Sequence, residues 1–230
     1  GISRFYAFHQ TIPGRMNMPG ANVIGRPQVA FGTSEHVSWT STVSTAPRNS
    51  IYMLRLVPGE PTKYIFDGVP HDMVAETVTV QVSDGQGGVE NRSHTFYSTH
   101  FGAFLMGGAA PWTTQIAFAI RPTVDEWRGV NALAELWKVT SVRELKAVHD
   151  KYQFSPANMI AADSLGVTWF ADPGPIPNLG DAQRASCAMG GGALDGSRSD
   201  CMWNTDPDAA APGIFGPRKL PNLFRTDFVL

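Results

Sequence analysis

Cys187 and Cys201 are the only two cysteines in the chain, and they flank a glycine-rich stretch. Two thiols can ligate a metal, cycle between redox states or form a disulfide. Their spacing is wider than the CxxC of metal and redox pairs, and no histidine lies near them to complete a ligand set. The pair therefore reads as a disulfide stapling a loop, worth roughly 3 kcal/mol in the chain-entropy model. Such a bond implies an oxidising compartment, secreted or periplasmic. The six histidines (9, 36, 71, 94, 100 and 149) follow no ligand spacing, and each reads as a satisfied surface or core residue. There is no GxSxG elbow, no HExxH and no Walker loop. Asp67-Gly68 and Asp84-Gly85 are turn chemistry, and Asp206-Pro207-Asp208 reads as a loop with two solvated carboxylates. Gly1 offers no side-chain nucleophile.

The elements that would position any site follow from periodicity. Arg4 to Ile12 reads as an aromatic-rich strand ended by Pro13-Gly14. Val37 to Val43 alternates large apolar with small polar residues, with Trp39 and Val43 out of phase with Ser38 and Thr42. Ser44-Thr45-Ala46-Pro47 ends that strand, because proline cannot donate to a ladder. Ile51 to Val57 is another strand. Thr77 to Val82 puts three valines on one face. Asp84 to Gly88 then turns the chain into a hairpin partner, Val89 to Ser98. Residues 123–138 and 141–152 read as helices, the second opened by a Ser141/Glu144 capping box with Val142, Leu145, Val148 and Tyr152 on one face. Met159 to Ala162 and Val167 to Phe170 form a further hairpin. Residues 173–222 read as a long loop held by the disulfide, and Phe228-Val229-Leu230 as a strand. Strands, then helices, then strands make an α+β chain, with a β-rich first half and a helical segment at about 123–152.

Composition sets bounds. Hydrophobic residues make up 43% and charged residues 17%, enough for a core and too few charges for a disordered chain. The formal net charge is −2 with no basic cluster, so nucleic acid is not an expected partner. No apolar run is long enough to cross a membrane, so no membrane partner is expected. The first residues do not form a signal peptide.

The order of several segments resembles the β-subunit of the penicillin-acylase type of N-terminal-nucleophile (Ntn) hydrolases, in the branch of the aculeacin and acyl-homoserine-lactone acylases. The first group is Arg4-Phe5-Tyr6-Ala7-Phe8-His9, Ile12-Pro13-Gly14-Arg15, Gly25-Arg26-Pro27-Gln28-Val29 and Trp39-Thr40-Ser41-Thr42-Val43. Asn158 to Gly166 follows as N-x-x-x-A-D-x-x-G. Leu194 to Cys201 and Asp206-Pro207-Asp208-Ala209-Ala210 close the series. The resemblance implies a partial αββα fold of stacked antiparallel sheets with helices. It makes residues 1–230 a single fragment of the β-subunit, without the nucleophile segment and the C-terminal part.

In that family a serine at the β-chain N-terminus attacks an amide carbonyl, with its own α-amino group as base. The resemblance puts the nucleophile and a nearby histidine upstream of Gly1, and an oxyanion-hole asparagine downstream of Leu230. It puts the second oxyanion donor, a backbone N–H, on Val43. It places Val23, Phe31, Thr42 and Trp137 along the acyl pocket, positions that ordinary core packing would also explain. Arg26 and Pro156-Ala157 depart from the family pattern, which implies a wider or more polar pocket. Penicillin G acylases carry acidic calcium ligands just after the oxyanion strand. Ser44 to Ser50 contains no acid, so no calcium is expected there; no other metal and no cofactor is expected. The expected activity is hydrolysis of a linear amide in an N-acyl compound: a lipopeptide, an acyl-homoserine lactone or a β-lactam. The expected partners are an α-subunit, the rest of the β-subunit and a small N-acyl substrate. Two other readings stand beside it: a non-catalytic fragment or relative that binds a partner chain, and an extracellular β-rich binding domain.

Overall fold

The computed structural model describes residues 4–25, 28–104, 110–123 and 126–229. Gly1, Arg26, Pro27 and Leu230, together with residues 124–125 of the expected helix 123–138, lie outside them. In chain order the elements begin with β1 (Phe5–Ile12), β2 (Met16–Val23), β3 (Phe31–Thr33) and β4 (Val37–Val43). Next come β5 (Asn49–Val57), β6 (Glu60–Phe66), β7 (Val69–Asp72), β8 (Val74–Ser83), β9 (Val89–Thr99), β10 (Gly102–Ala103) and β11 (Ile116–Pro122). They end with α1 (Glu126–Leu136), α2 (Val142–Tyr152), β12 (Ala157–Asp163), β13 (Thr168–Ala171), α3 (Asp181–Ser186), β14 (Ala193–Asp195) and β15 (Asn222–Arg225). The chain is β-rich with few helices, and its named strands pair antiparallel except where β14 runs parallel to β5.

The chain divides into two compact units. The first (residues 1–48, 123–178 and 204–230) holds a seven-stranded sheet in the order β1-β2-β3-β4-β12-β13-β15. Strand alternation splits its residues between two faces. Val37, Trp39, Met159, Ala161, Trp169 and Ala171 point to one face, where they form a core with Ala132 and Leu136 of α1 and with Val142, Leu145 and Val148 of α2. Gly20 and Gly32 let β2 and β3 close on each other: a Cβ on Gly20 would stand 2.5 Å from the Phe31 carbonyl oxygen and 2.5 Å from a Val29 methyl. The second unit (49–122 and 179–203) holds the sheet β11-β5-β6-β7, with β14 added to β5, and the sheet β10-β9-β8. Its core gathers Tyr52, Leu54, Leu56, Tyr64, Phe101 and Leu194 around the Cys187–Cys201 disulfide.

Several expectations need correcting. The loop expected over 173–222 contains α3 and β14, because its backbone finds partners: Asp195 N–H bonds the Cys187 carbonyl, and Gly196 N–H bonds that of Met53. The last strand among the described residues is β15, and Phe228 and Val229 belong to no strand; after β15 the chain leaves the ladder, and Arg225 at its end pairs with Asp227. In the capping box the Ser141 hydroxyl does accept the Glu144 N–H (3.3 Å). The Glu144 carboxylate reaches Thr140, taking its N–H and its hydroxyl, rather than Ser141. Asp206 and Asp208 are not free in solvent. Asp206 accepts the Gly216 N–H (3.0 Å) and pairs with Lys219 (2.9 Å), and Asp208 pairs with Arg218. His149 is buried with neither ring nitrogen hydrogen-bonded, so it is not a satisfied histidine.

Candidate active site

Val43 is the last residue of β4, opposite Ala157 of β12. In an antiparallel strand the N–H and C=O of one residue point to the same neighbour and alternate sides along the chain. The Val37 carbonyl accepts the Ser34 N–H on the β3 side, and the His36 carbonyl accepts the Ser164 N–H on the β12 side. The register of β4 on β12 runs unbroken from Val37 to Val43, so Trp39, Ser41 and Val43 also turn their amides towards β3. That strand pairs with β4 only at Ser38 and Trp39. Among the described residues no strand lies beside β4 at Ser41 and Val43, and the Val43 N–H faces this uncovered edge. Val43 is 90% exposed, so the residue is not core packing. The alternation stops at this last residue: the Val43 carbonyl turns to β12, where it accepts a hydrogen bond from the Asn158 side-chain amide (3.1 Å).

The face of the seven-stranded sheet away from the helices carries Phe5, Ala21, Val23, Phe31, Thr40, Thr42 and Ile160. Three of the four expected pocket residues, Val23, Phe31 and Thr42, are therefore on one face. They also share one end of the sheet. Ala21 pairs with Phe31 and Gly32 pairs with Trp39, which puts Val23 and Thr42 at the same level two strands apart, about 10 Å at ordinary strand spacing. The Phe5 and Phe31 rings meet there at 5.2 Å. Trp137 does not join this group. It lies at the other end of the sheet, beside Met16, Ser34 and His36, where it walls a cavity of about 680 Å³ and carries the Lys138 ammonium 5.1 Å above its ring.

Asn158 and Asp163 belong to a segment singled out in the sequence, yet nothing in their types revealed their work. Asn158 secures the end of β4. Asp163 accepts the Leu165 and Val167 N–H groups (3.1 and 3.0 Å) in the β12–β13 turn and the Val142 N–H (2.9 Å) at the start of α2. No cluster of three or more His, Cys, Asp or Glu suited to a metal occurs among the described residues. The arrangement amounts to a backbone donor at a strand end, beside an apolar and hydroxyl-bearing sheet face.

All of residues 1–230 match the penicillin amidase family. The chain belongs to that family. It is 42% identical over 245 residues to aculeacin-A acylase of Actinoplanes utahensis, across 100% of its own length and 30% of that protein's. It is 34% identical over 237 residues to the acyl-homoserine lactone acylase PvdQ of Pseudomonas fluorescens, again across 100% of its own length and 30% of the relative's. It thus spans about 30% of the length of these curated relatives. Among solved structures it is similar to a thermostable penicillin G acylase from Alcaligenes faecalis, with a TM-score of 0.75 and 19% identity over 97% of this chain and 37% of that one. That likeness establishes the shared fold.

Proposed function

We propose that this chain is part of an acylase that hydrolyses the linear amide of an N-acyl compound, and that the Val43 N–H is one of its two oxyanion donors. The observation that carries the reading is the place of that N–H, at the uncovered edge of β4 and at the same end of the sheet as Val23, Phe31 and Thr42. A tetrahedral intermediate needs donors aimed at the oxygen that gains charge, in a site poor in water. An amide already spent in a ladder would not serve. In this reading Val23 and Phe31 supply apolar wall for the acyl chain, and the Thr42 hydroxyl lies beside the scissile group. Trp137 walls the other cavity, away from this group.

In this reading the nucleophile, its base and the second donor belong to the remainder of the β-subunit, and an α-subunit is the partner chain. The single-fragment reading of 1–230 belongs to this proposal. The second sheet of an αββα core would stack on the face that bears Val23, Phe31 and Thr42, enclosing the site. The identities to aculeacin-A acylase and to PvdQ favour a lipopeptide or an acyl-homoserine lactone as substrate, with β-lactams as a further class. The Cys187–Cys201 disulfide supports a secreted or periplasmic location. No described helix is long and apolar enough to cross a membrane.

The test is Val43→Pro in the complete protein. Because the N–H faces an open edge, proline removes no ladder bond between β4 and β12, and Thr42 already has the extended backbone that precedes proline. The expected loss in kcat is roughly 10²- to 10³-fold, with Val43→Ala close to wild type because the side chain donates nothing. A folded Val43→Pro enzyme with wild-type kcat would end the assignment.

A further inference from the structure

The segment that leaves β4, Ser44 to Arg48, ends in a cation that the sequence reading passed over. Arg48 and Asp172 are both largely buried and form an ion pair. The same guanidinium donates to the Ser44 hydroxyl (3.0 Å) and to the Pro175 carbonyl (3.1 Å). The Ser44 hydroxyl donates to the other Asp172 oxygen (2.5 Å) and accepts the Ala46 N–H (3.1 Å). The Arg48 carbonyl accepts the Thr123 N–H (3.0 Å), and the Thr123 hydroxyl lies 2.9 Å from that carbonyl and 3.1 Å from the Pro175 carbonyl. Gly174 leaves the space: a Cβ there would stand 2.1 Å from the Ser155 carbonyl oxygen and 2.9 Å from an Arg48 nitrogen.

This cluster ties two strand exits together. Ser44 follows Val43 at the end of β4, and Asp172 follows Ala171 at the end of β13. Only β12 lies between those strands, and Asn158 at its start holds the Val43 carbonyl. Val43 is thus gripped on both sides, by the β12 ladder through Thr42 and by the Arg48 cluster through Ser44. Stability alone is a poor explanation for such a pair, because well-packed apolar residues often replace a buried ion pair without loss. Fixed direction is what a planar guanidinium adds when its two terminal nitrogens reach Asp172, Ser44 and the Pro175 carbonyl together.

We propose that Arg48, acting with Asp172 and Ser44, is a positioning residue that fixes where the Val43 N–H points. The proposal rests on the oxyanion reading of Val43. A donor for a developing charge must stand within a fraction of an ångström of its working place, and a misplacement of about 1 Å costs roughly 10²-fold in rate. Arg48 touches no reacting atom; it holds the segment from which the donor projects.

The test uses the complete protein with Arg48→Ala and Arg48→Lys. The substrate is whichever compound the wild type hydrolyses fastest among long-chain N-acyl-homoserine lactones, an acylated lipopeptide and penicillins. Two quantities are read: kcat and KM, and hydrogen exchange of the backbone over residues 40–48. Arg48→Ala should lose roughly 10²-fold in kcat with KM within about twofold, and residues 40–48 should exchange faster. Arg48→Lys keeps the charge without the fork and should recover part of the loss. A folded variant with wild-type kcat overturns the proposal, and so does a raised KM with kcat unchanged, which would mark substrate binding. If Arg48→Ala does not fold, Arg48→Lys decides on the same terms. A wild type that hydrolyses none of the panel refutes the acylase reading instead. In that case unchanged exchange over 40–48 in folded Arg48→Lys refutes the clamp itself.

Discussion

His149 is the least comfortable residue of the chain. It is wholly buried against Phe154 and Trp169, whose rings lie 4.7 and 5.7 Å from its own, and neither nitrogen has a partner. Burial alone pushes its pKa from 6.5 down to about 3. The unfolded chain takes up a proton near pH 6.5 that the folded chain refuses. Stability is therefore fully present above that pH and falls by about 1.4 kcal/mol per pH unit below it, the loss ending near pH 3. Denaturant titrations between pH 7 and pH 4.5 should show this slope, and His149→Phe should flatten it. Asp206 acts in a lower window. The Gly216 N–H, then Lys219 and the Asp208 N–H, hold its carboxyl down to about 2, so its contribution is lost only as the pH falls through the ordinary carboxylate range towards that value. Little of this was legible in the sequence. A histidine's type says nothing of its burial, and Asp206-Pro207-Asp208 looks like any polar turn until Gly216 and Lys219 come round to meet it. The role we propose for Val43 comes from resemblance alone, because a backbone donor would leave no mark on residue type.

Elements were easier to read where periodicity was long and local. The two helices, the β8–β9 hairpin and the β12–β13 hairpin carry their own patterns. The short strands β3, β7 and β14 do not; β3 and β7 are too short to show a period and borrow their ladders from adjacent strands, and β14 is a strand only because the distant β5 pairs with it. The valine face of β8 shows the limit of pattern. Its alternation is clean, yet Val78 and Val80 are 41% and 51% exposed, opposite His94 and Arg92. Val78→Thr should therefore change stability by no more than about 0.5 kcal/mol in thermal unfolding of this chain. Ser141 offers the contrast. Its hydroxyl satisfies the Glu144 N–H at the start of α2, an element whose Val142 and Leu145 are wholly buried. Ser141→Ala should cost about 1 kcal/mol, and the same unfolding measurement checks it.

At the scale of the molecule, the two compact units hold different features. The disulfide belongs to the second unit, where it closes a span of 14 positions beside Leu54 and Leu194. Replacing Cys187 and Cys201 together by serine should destabilise that unit by roughly 3 kcal/mol, seen as a lower midpoint in urea with Trp203 fluorescence as the probe. The first unit carries the functional claim. Its sheet has one face covered by α1 and α2, and its other face bears the residues we assign to substrate. Strand order explains why this was only half visible in the sequence: β4 and β12 are neighbours although more than a hundred residues separate them, and the clamp of Arg48 on Asp172 depends on that long return. The most direct test of the account is a crystal structure of the complete protein with a long-chain alkylboronic acid bound as a tetrahedral mimic of the intermediate. The account predicts a boronate oxygen about 2.7–3.1 Å from the Val43 nitrogen, with the alkyl chain against Val23 and Phe31. A boronate whose oxygens are held by other donors, with the Val43 nitrogen more than about 4 Å from every one of them, would contradict it.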